Sequence, residues 1–368
     1  MNLGIRRIHS LHQYVHDLDR TRRFFVDGLD FREVGGRVTE HQRSATFRAG
    51  QAVFVVSEPI GDGGRASRYL RKHPEGIGAV VFEVDDIQHA WDTLLARGAT
   101  PLDAVQTCAD AAGSFATFSI TTPFGDTTFR FVECRTGFGY YPGFTPTASA
   151  GGGNRFGFGH VDHVTSNLGT MAPTLLWLEH VMGFERYWDV AFHTADLGAD
   201  DGSGLASVVM WDRESGVKLA NNEPARPHFK QSQINVFVED NRGPGVQHAA
   251  LSVTDILGAT RGLRERGLSF LATPEAYYDA LPERLAEHGI TLDESIDELA
   301  ALEILVDGAK GGYLLQVFMA EAAALHGDPE AGPFFIELIQ RKGDDGFGAG
   351  NFRALFESIE RQQMPGRP

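Results

Sequence analysis

Apolar and polar positions along this chain fall into a phrase that is written more than once. From Arg20 to Glu33 apolar residues recur at helical spacing, a glycine follows at Gly28, and a strand is predicted to begin at Phe31. Leu175 to Arg186 repeats the phrase, with Gly183 and Phe184 in the matching places. A second pair has the same character. The alternating run Val80 to Ile87 leads into a helix from His89 to Arg97 and stops at Gly98, and Ala250 to Ile256 leads into a helix that runs through Arg266 and stops at Gly267. Each half of the chain is therefore expected to be a repeated unit of strand, helix, then strands. Between the halves, Tyr141 to Asn154 is rich in Gly, Pro, Thr and Ala and ends in Gly151-Gly152-Gly153, which predicts a flexible linker. The expected domains are residues 1–150 and 151–368.

Composition narrows the function classes. A chain of 368 residues is long for one core and comfortable for two domains. With 42% hydrophobic and 22% charged residues it reads as an ordinary globular protein. A net charge of -16 argues against nucleic acid, though a small anionic substrate responds to the local field of a cleft. Cys108 and Cys134 are the only cysteines, so a reducing compartment is expected. No apolar run reaches the roughly 20 residues of a membrane span. A cytoplasmic protein without membrane or nucleic-acid partners is the expectation.

Three apolar, strand-like segments in the second half each carry one potential metal ligand: His163 in Val161-Asp162-His163, His248 in Gly245-Val246-Gln247-His248, and Glu337 in Phe334 to Leu338. Two imidazoles and a carboxylate on separate strands can cap one face of a metal ion and leave positions open, as in non-heme iron(II) oxygenases. A carboxylate in such surroundings would otherwise be costly to bury. Strict alternation puts His163 and Val161 on one strand face and sends His160 and Asp162 to the other. Overlaying the repeats sets Ala79 opposite His248 and Phe131 opposite Glu337, with Glu133 nearby and His12 near the position of His163. The first half is expected to have lost its metal site and to be structural.

The words around these ligands carry a family likeness. Gln231-Ser232-Gln233-Ile234, Gly243 to His248, Arg264 to Pro274, Ala276 to Asp279, Gly312 to Phe318 and Gly346 to Phe352 closely resemble, in order, the motifs of 4-hydroxyphenylpyruvate dioxygenases. The likeness runs from about Gly157 to about Gln362. The repeated βαβββ unit itself resembles the vicinal oxygen chelate superfamily. That implies an α+β fold of two chelate-type domains, each an open barrel of duplicated modules, with a C-terminal lid helix. It further implies Fe(2+) held by His163, His248 and Glu337. The substrates would be an aromatic 2-oxo acid and O2, the products homogentisate and CO2, and the assembly a homodimer or homotetramer. The polar contacts carried over are Ser207, Asn222, Gln233, Gln247, Gln316 and Asn351. The aromatic wall would be Phe318, Phe335, Phe347 and Phe352. Gly346 to Gly350 would be the hinge of a lid formed by the amphipathic helix Asn351 to Gln362.

Three positions depart from the family pattern: Ala220 stands for a proline, Asn235 for a glutamine, and Met319 to Pro333 replaces a short link. The nearest rival reading is a 4-hydroxymandelate synthase, which shares the iron site and oxidises the benzylic carbon instead. Phe352 and Asn222 favour the dioxygenase; Ala220 points the other way. A different class, a small-molecule binding protein of the same superfamily without catalysis, would have no need of three ligands.

Overall fold

The computed structural model describes residues 2–110, 113–135, 143–193, 204–225, 232–309, 311–348 and 351. Its strands form two curled sheets. The first contains β1 (Ile5–Tyr14), β2 (Arg32–Val38), β3 (Gln42–Ala49), β4 (Ala52–Pro59), β5 (Gly76–Val84), β6 (Gln106–Asp110), β7 (Gly113–Ile120), β8 (Thr128–Arg135) and β9 (Thr145–Gly151). The second contains β10 (Phe158–Asn167), β11 (Glu185–His193), β12 (Gly204–Trp211), β13 (Lys218–Pro224), β14 (Gly245–Val253), β15 (Leu305–Ala309), β16 (Gly312–Phe318) and β17 (Phe335–Lys342). The strand orders are 6-7-8-5-1-4-3-2-9 and 11-12-13-10-14-17-16-15, so the two curls have one topology apart from β9. In each, two βαβββ units meet at a central antiparallel pair, β1 with β5 or β10 with β14. This is the expected α+β, chelate-type architecture.

The helices have local causes. Helix α1 (Leu18–Arg23) is capped by Asp17, and like α4 (Ala172–Trp177) it closes through one widened π-type turn. Gly183 then takes the left-handed conformation, whereas in the first half Asp30 takes it, at φ +60°. Its carboxylate accepts from Arg155 N and pairs with Arg155 and Arg266, which holds a conformation that glycine reaches more readily. Between them, α2 (Arg65–Leu70) packs over the end of the first curl. Helices α3 (Ile87–Ala96) and α6 (Ile256–Glu265) start on Asp86 and Asp255, whose side chains accept first-turn amides. Helix α5 (Gln233–Asp240) is capped by Ser232. Four short helices complete the set: α7 (Glu275–Asp279), α8 (Leu281–His288), α9 (Ile296–Ala301) and α10 (Ala322–His326).

The expected flexible linker is corrected. Thr145 to Gly151 is β9, which pairs with β2 and lengthens the first sheet by one edge strand. Its small residues suit close approach: a side chain on Gly152 would collide with the Asp30 carboxylate. The halves share one apolar core, in which Phe31 meets Phe158 at 5.2 Å between ring centroids. Backbone and side chains also cross between them, as in Gln51 N to Gly159 O, 2.5 Å, and Arg266 Nη1 to Asp27 O, 2.8 Å. The 319–333 link turns toward the first half: Arg20 bridges Glu75 and Asp328, and Glu75 N donates to Glu330 O.

Gly50 occupies this seam at φ +57°, and a Cβ there would lie 2.3 Å from Phe158 O. Gly50→Ala should therefore destabilise the chain by about 2 kcal/mol or more. Urea unfolding would show the midpoint falling; an unchanged midpoint would mean that the seam relaxes freely.

Candidate metal centre

Two β-bulges build the centre. Along β10 and β14, Val161 faces Leu251, His163 faces Ala250, Thr165 faces His248 and Ser166 faces Val246. Asp162 is thus one residue too many on β10, and Gln247 one too many on β14. A bulge breaks alternation and re-aims the side chain beside it. Asp162 consequently turns back toward His163, and its Oδ1 accepts from His163 Nδ1 at 2.9 Å. Gln247 does the same for His248, with Oε1 3.1 Å from Nδ1. Alternation had placed Asp162 on the opposite face, away from His163; the bulge overturns that reading.

With each Nδ1–H donating outward, both Nε2 lone pairs point at one place. Glu337 Oε2 lies 3.4 Å from His163 Nε2 and 3.3 Å from His248 Nε2. The three ligand atoms fall within 4.8 Å of one another, and all three residues are buried. Spacings of this size suit donors on one face of an ion at bond lengths of about 2.1 Å. Glu337 Oε1 is occupied separately, accepting from Gln316 Nε2 at 2.9 Å, so one oxygen is left to the metal. Burial alone would raise the Glu337 pKa, but the two imidazoles hold it down at about 2. Burial pushes His248 toward its neutral form, the form that ligates. Burial opposes charge on His163 too, yet Glu337 and Asp162 raise its pKa. A cation among these three groups would take over that role.

The next layer is held as tightly. Arg341 grips Asp162 with two bonds, Nε to Oδ2 at 2.8 Å and Nη2 to Oδ1 at 2.7 Å. Burial would raise the Asp162 pKa, but Arg341 and His163 hold it far below the carboxylate range. The same guanidinium donates to Gly346 O at 2.8 Å, which ties the C-terminal segment to the His163 side. On the Glu337 side, Asn351 Nδ2 donates to Gln316 Oε1 at 2.9 Å and Asn351 Oδ1 accepts from Tyr277, itself held by Arg284. Gln247 Nε2 reaches Gln233 Oε1 at 3.3 Å.

Ser207 and Asn222 face each other across β12 and β13, and Asn222 Nδ2 donates to Asn167 Oδ1 at 3.0 Å. Asn222 is a strand residue of β13. Ser207 Oγ, Asn222 Oδ1, Thr165 Oγ1 and Asn167 Nδ2 are buried without a partner, which in a folded protein calls for a ligand or water. Phe335 stacks on the His248 ring at 4.9 Å with Phe318 edge-on to it, and Phe347 lies 4.6 Å from the His163 ring. Ala220 packs with Val209 against Phe347, and Asn235 donates to Glu239 on the exposed side of α5. Phe352 and the helix predicted to follow Asn351 lie outside the described residues.

Asp162, Arg341, Asn167, Tyr277 and Arg284 were missed as site residues. Tyr277 carried one signal, its place in a family motif. An aspartate directly before a ligand histidine was the sign available for Asp162.

A two-histidine, one-carboxylate cup in the second of two curled sheets defines the class: a metal-binding member of the Glyoxalase/Bleomycin resistance protein/Dioxygenase superfamily, whose model matches residues 7–127 and 160–295. A 4-hydroxyphenylpyruvate dioxygenase of Dictyostelium discoideum is 37% identical, over 84% of this chain and 84% of its own. One from Coccidioides posadasii is 34% identical over 96% and 92%. A mutant of 4-hydroxymandelate synthase from Streptomyces coelicolor superposes with a TM-score of 0.82 at 28% identity, over 98% of this chain and 100% of that one. The chain belongs to the 4-hydroxyphenylpyruvate dioxygenase family.

Asp162→Asn keeps the shape beside His163 but weakens the acceptor, so metal affinity should fall about 10- to 100-fold. Anaerobic titration of iron(II) against a chromophoric chelator measures this. Equal affinity in the variant would remove Asp162 from the centre.

Proposed function

We propose that the chain is an iron(II)-dependent dioxygenase that converts 4-hydroxyphenylpyruvate and O2 to homogentisate and CO2. The observation that carries this reading is the pairing of a three-ligand metal face with a buried wall of unpartnered amide and hydroxyl atoms on the same sheet. Iron(II) held by His163, His248 and Glu337 supplies the dioxygen chemistry that protein side chains lack. The chain's own residues do the rest. Asp162 and Gln247 fix both imidazole tautomers and their aim. Gln316 keeps Glu337 to one ligating oxygen. Ser207, Asn222, Gln233 and Gln247 offer donors and acceptors to a phenol and a keto acid without adding charge. Phe318 and Phe335 flank His248 and give the substrate ring an apolar seat beside the metal. Phe347 covers His163, and Asn351 anchors the segment that closes the cup and keeps water out. Phe352 is assigned to the same wall.

In this reading residues 151–368 form the catalytic domain, and residues 1–150 a domain without a metal site. The two cysteines, Cys108 and Cys134, are free, which suits a reducing compartment. Among the described residues no helix is long and apolar enough to cross a membrane.

The test is direct. Anaerobic protein is loaded with iron(II), then given 4-hydroxyphenylpyruvate and oxygen, and the product is identified by mass spectrometry. Homogentisate with one CO2 per O2 consumed is expected. 4-Hydroxymandelate would keep the iron site and overturn the assignment of ring chemistry. Oxygen uptake with neither product would reassign the 2-oxo acid, and no uptake would return the chain to a binding role. Asn222→Ala should raise KM and lower kcat together, by about tenfold or more in kcat/KM.

A further inference from the structure

The strand register fixes which residues of the first curl stand where the metal ligands stand in the second. In the first sheet Ser10 faces Val81, His12 faces Ala79, and Gly78 is the extra residue before Ile77. In the second, His163 faces Ala250, Thr165 faces His248, and Gln247 is extra. Across the next pair, Val81 faces Arg130 as Ala250 faces Glu337. The three ligand positions are therefore Ser10, Ala79 and Arg130. This corrects two expectations: His12 matches Thr165 rather than His163, and the partner of Glu337 is Arg130 rather than Phe131. At the position of the metal-binding carboxylate the first curl carries a cation.

The pocket walls correspond as well. Ser44 and Ser57 face each other where Ser207 and Asn222 do, and Thr117 and Ser119 take the places of Gln316 and Phe318. The cup remains open as a cavity of about 330 Å³ lined by His12, Val55, Thr117, Arg130 and, at its mouth, Arg37 and Phe144. That is within the range of small-ligand sites.

Two buried polar atoms of its lining, on His12 and Thr117, have no hydrogen-bond partner in the protein. His12 is buried, with Nε2 2.8 Å from Ser57 Oγ and Nδ1 without a partner. Thr117 Oγ1 is likewise buried and unpartnered. Burial, then the charges of Arg130 and Arg65, hold the His12 pKa well below its usual value, so its ring is neutral. Arg130 donates Nε to Ser119 Oγ at 3.3 Å. One carboxylate, Asp103, also lines the cavity, and its Oδ1 accepts from Ser119 N at 2.6 Å.

We propose that this first cup is a second ligand site, which binds a small organic monocarboxylate against Arg130. A guanidinium matches a carboxylate in shape and charge, and neutral His12 with the Thr117 hydroxyl completes the polar contacts. Val55 and Phe144 offer apolar surface to the carbon skeleton. Asp103, on the same lining, disfavours a second negative charge and so a dianion such as phosphate. The duplicated fold thus presents two cups of opposite preference: a cation held by Glu337 in one, an anion held by Arg130 in the other.

Fluorine NMR on the iron-loaded full chain under nitrogen tests this, with 4-fluorobenzoate as the probe and 4-fluorobenzyl alcohol as its uncharged control. Saturable broadening by the acid and none by the alcohol is expected. It should persist in His248→Ala, which disables the metal cup. It should weaken at least about tenfold in Arg130→Gln, the worth of one charge-assisted hydrogen bond. Thr117→Val, a near-isosteric change, should weaken it about threefold and decides the matter if the arginine variant does not fold. No saturable binding, equal binding of the alcohol, loss in His248→Ala, or indifference to both first-cup variants would overturn the proposal.

Discussion

The centre depends on a single backbone device, the extra residue inserted beside each ligand histidine. Without the bulge at Asp162 the carboxylate would face away from His163, and the imidazole would have neither a fixed tautomer nor a fixed aim. Without the bulge at Gln247 the same would hold for His248. Each bulge therefore turns a pair of neighbours, ligand and orienting acceptor, onto one side of a strand that would otherwise separate them. The consequences spread outward. Arg341 is needed to keep Asp162 charged in a buried place, Gln233 to complete Gln247, and Gln316 to use the oxygen of Glu337 that the metal does not. Three ligands thus require at least as many supporting side chains.

Much of this was legible beforehand, for a definite reason. His163, His248, Glu337 and the amides sit inside short motifs, and a repeated phrase of helix, glycine and strand announced the duplicated fold. Period and motif are local properties, and the chain states them plainly. The bulges are not local in that sense. Whether residue 162 is paired or extra depends on its register against β14, nearly 90 residues away, and alternation within one strand cannot reveal it. The same blind spot shifted the repeat overlay: setting Phe131 opposite Glu337 misplaced its partner by one residue. In a strand, one residue separates the inside of a cup from the outside. The linker failed differently. Composition identified small residues from Tyr141 onward, but small residues serve close packing as well as flexibility, and here Gly151 and Gly152 fit against Phe31 and Asp30.

The two halves keep one backbone plan although the first has Ser10, Ala79 and Arg130 in the places of the candidate ligands. A bulge stands in the same place before Ile77, at Gly78, beside Ala79 where the second half has His248. Gly78 also has a present use, since a side chain there would strike the Tyr14 ring. The shape of the cup is thus maintained by packing, whereas its chemistry is set by a few inward positions. That separation lets one architecture hold a carboxylate at Glu337 and a guanidinium at Arg130 in equivalent places.

Two of the hydrogen-bond chains that leave the candidate metal centre end on the same stretch of polypeptide. From His163 the path runs through Asp162 and Arg341 to Gly346 O; from Glu337 it runs through Gln316 to Asn351. Phe347 lies between these anchor points, against the His163 ring. The segment that covers the cup is therefore fastened to a ligand on either side. Releasing it would leave the Gln316 amide oxygen without Asn351 and Arg341 without Gly346, both next to groups that hold the metal. The side chains that orient the candidate ligands thus also hold Gly346 and Asn351 in place. With Phe347 buried against the His163 ring, that side of the candidate ligand face is kept from bulk water.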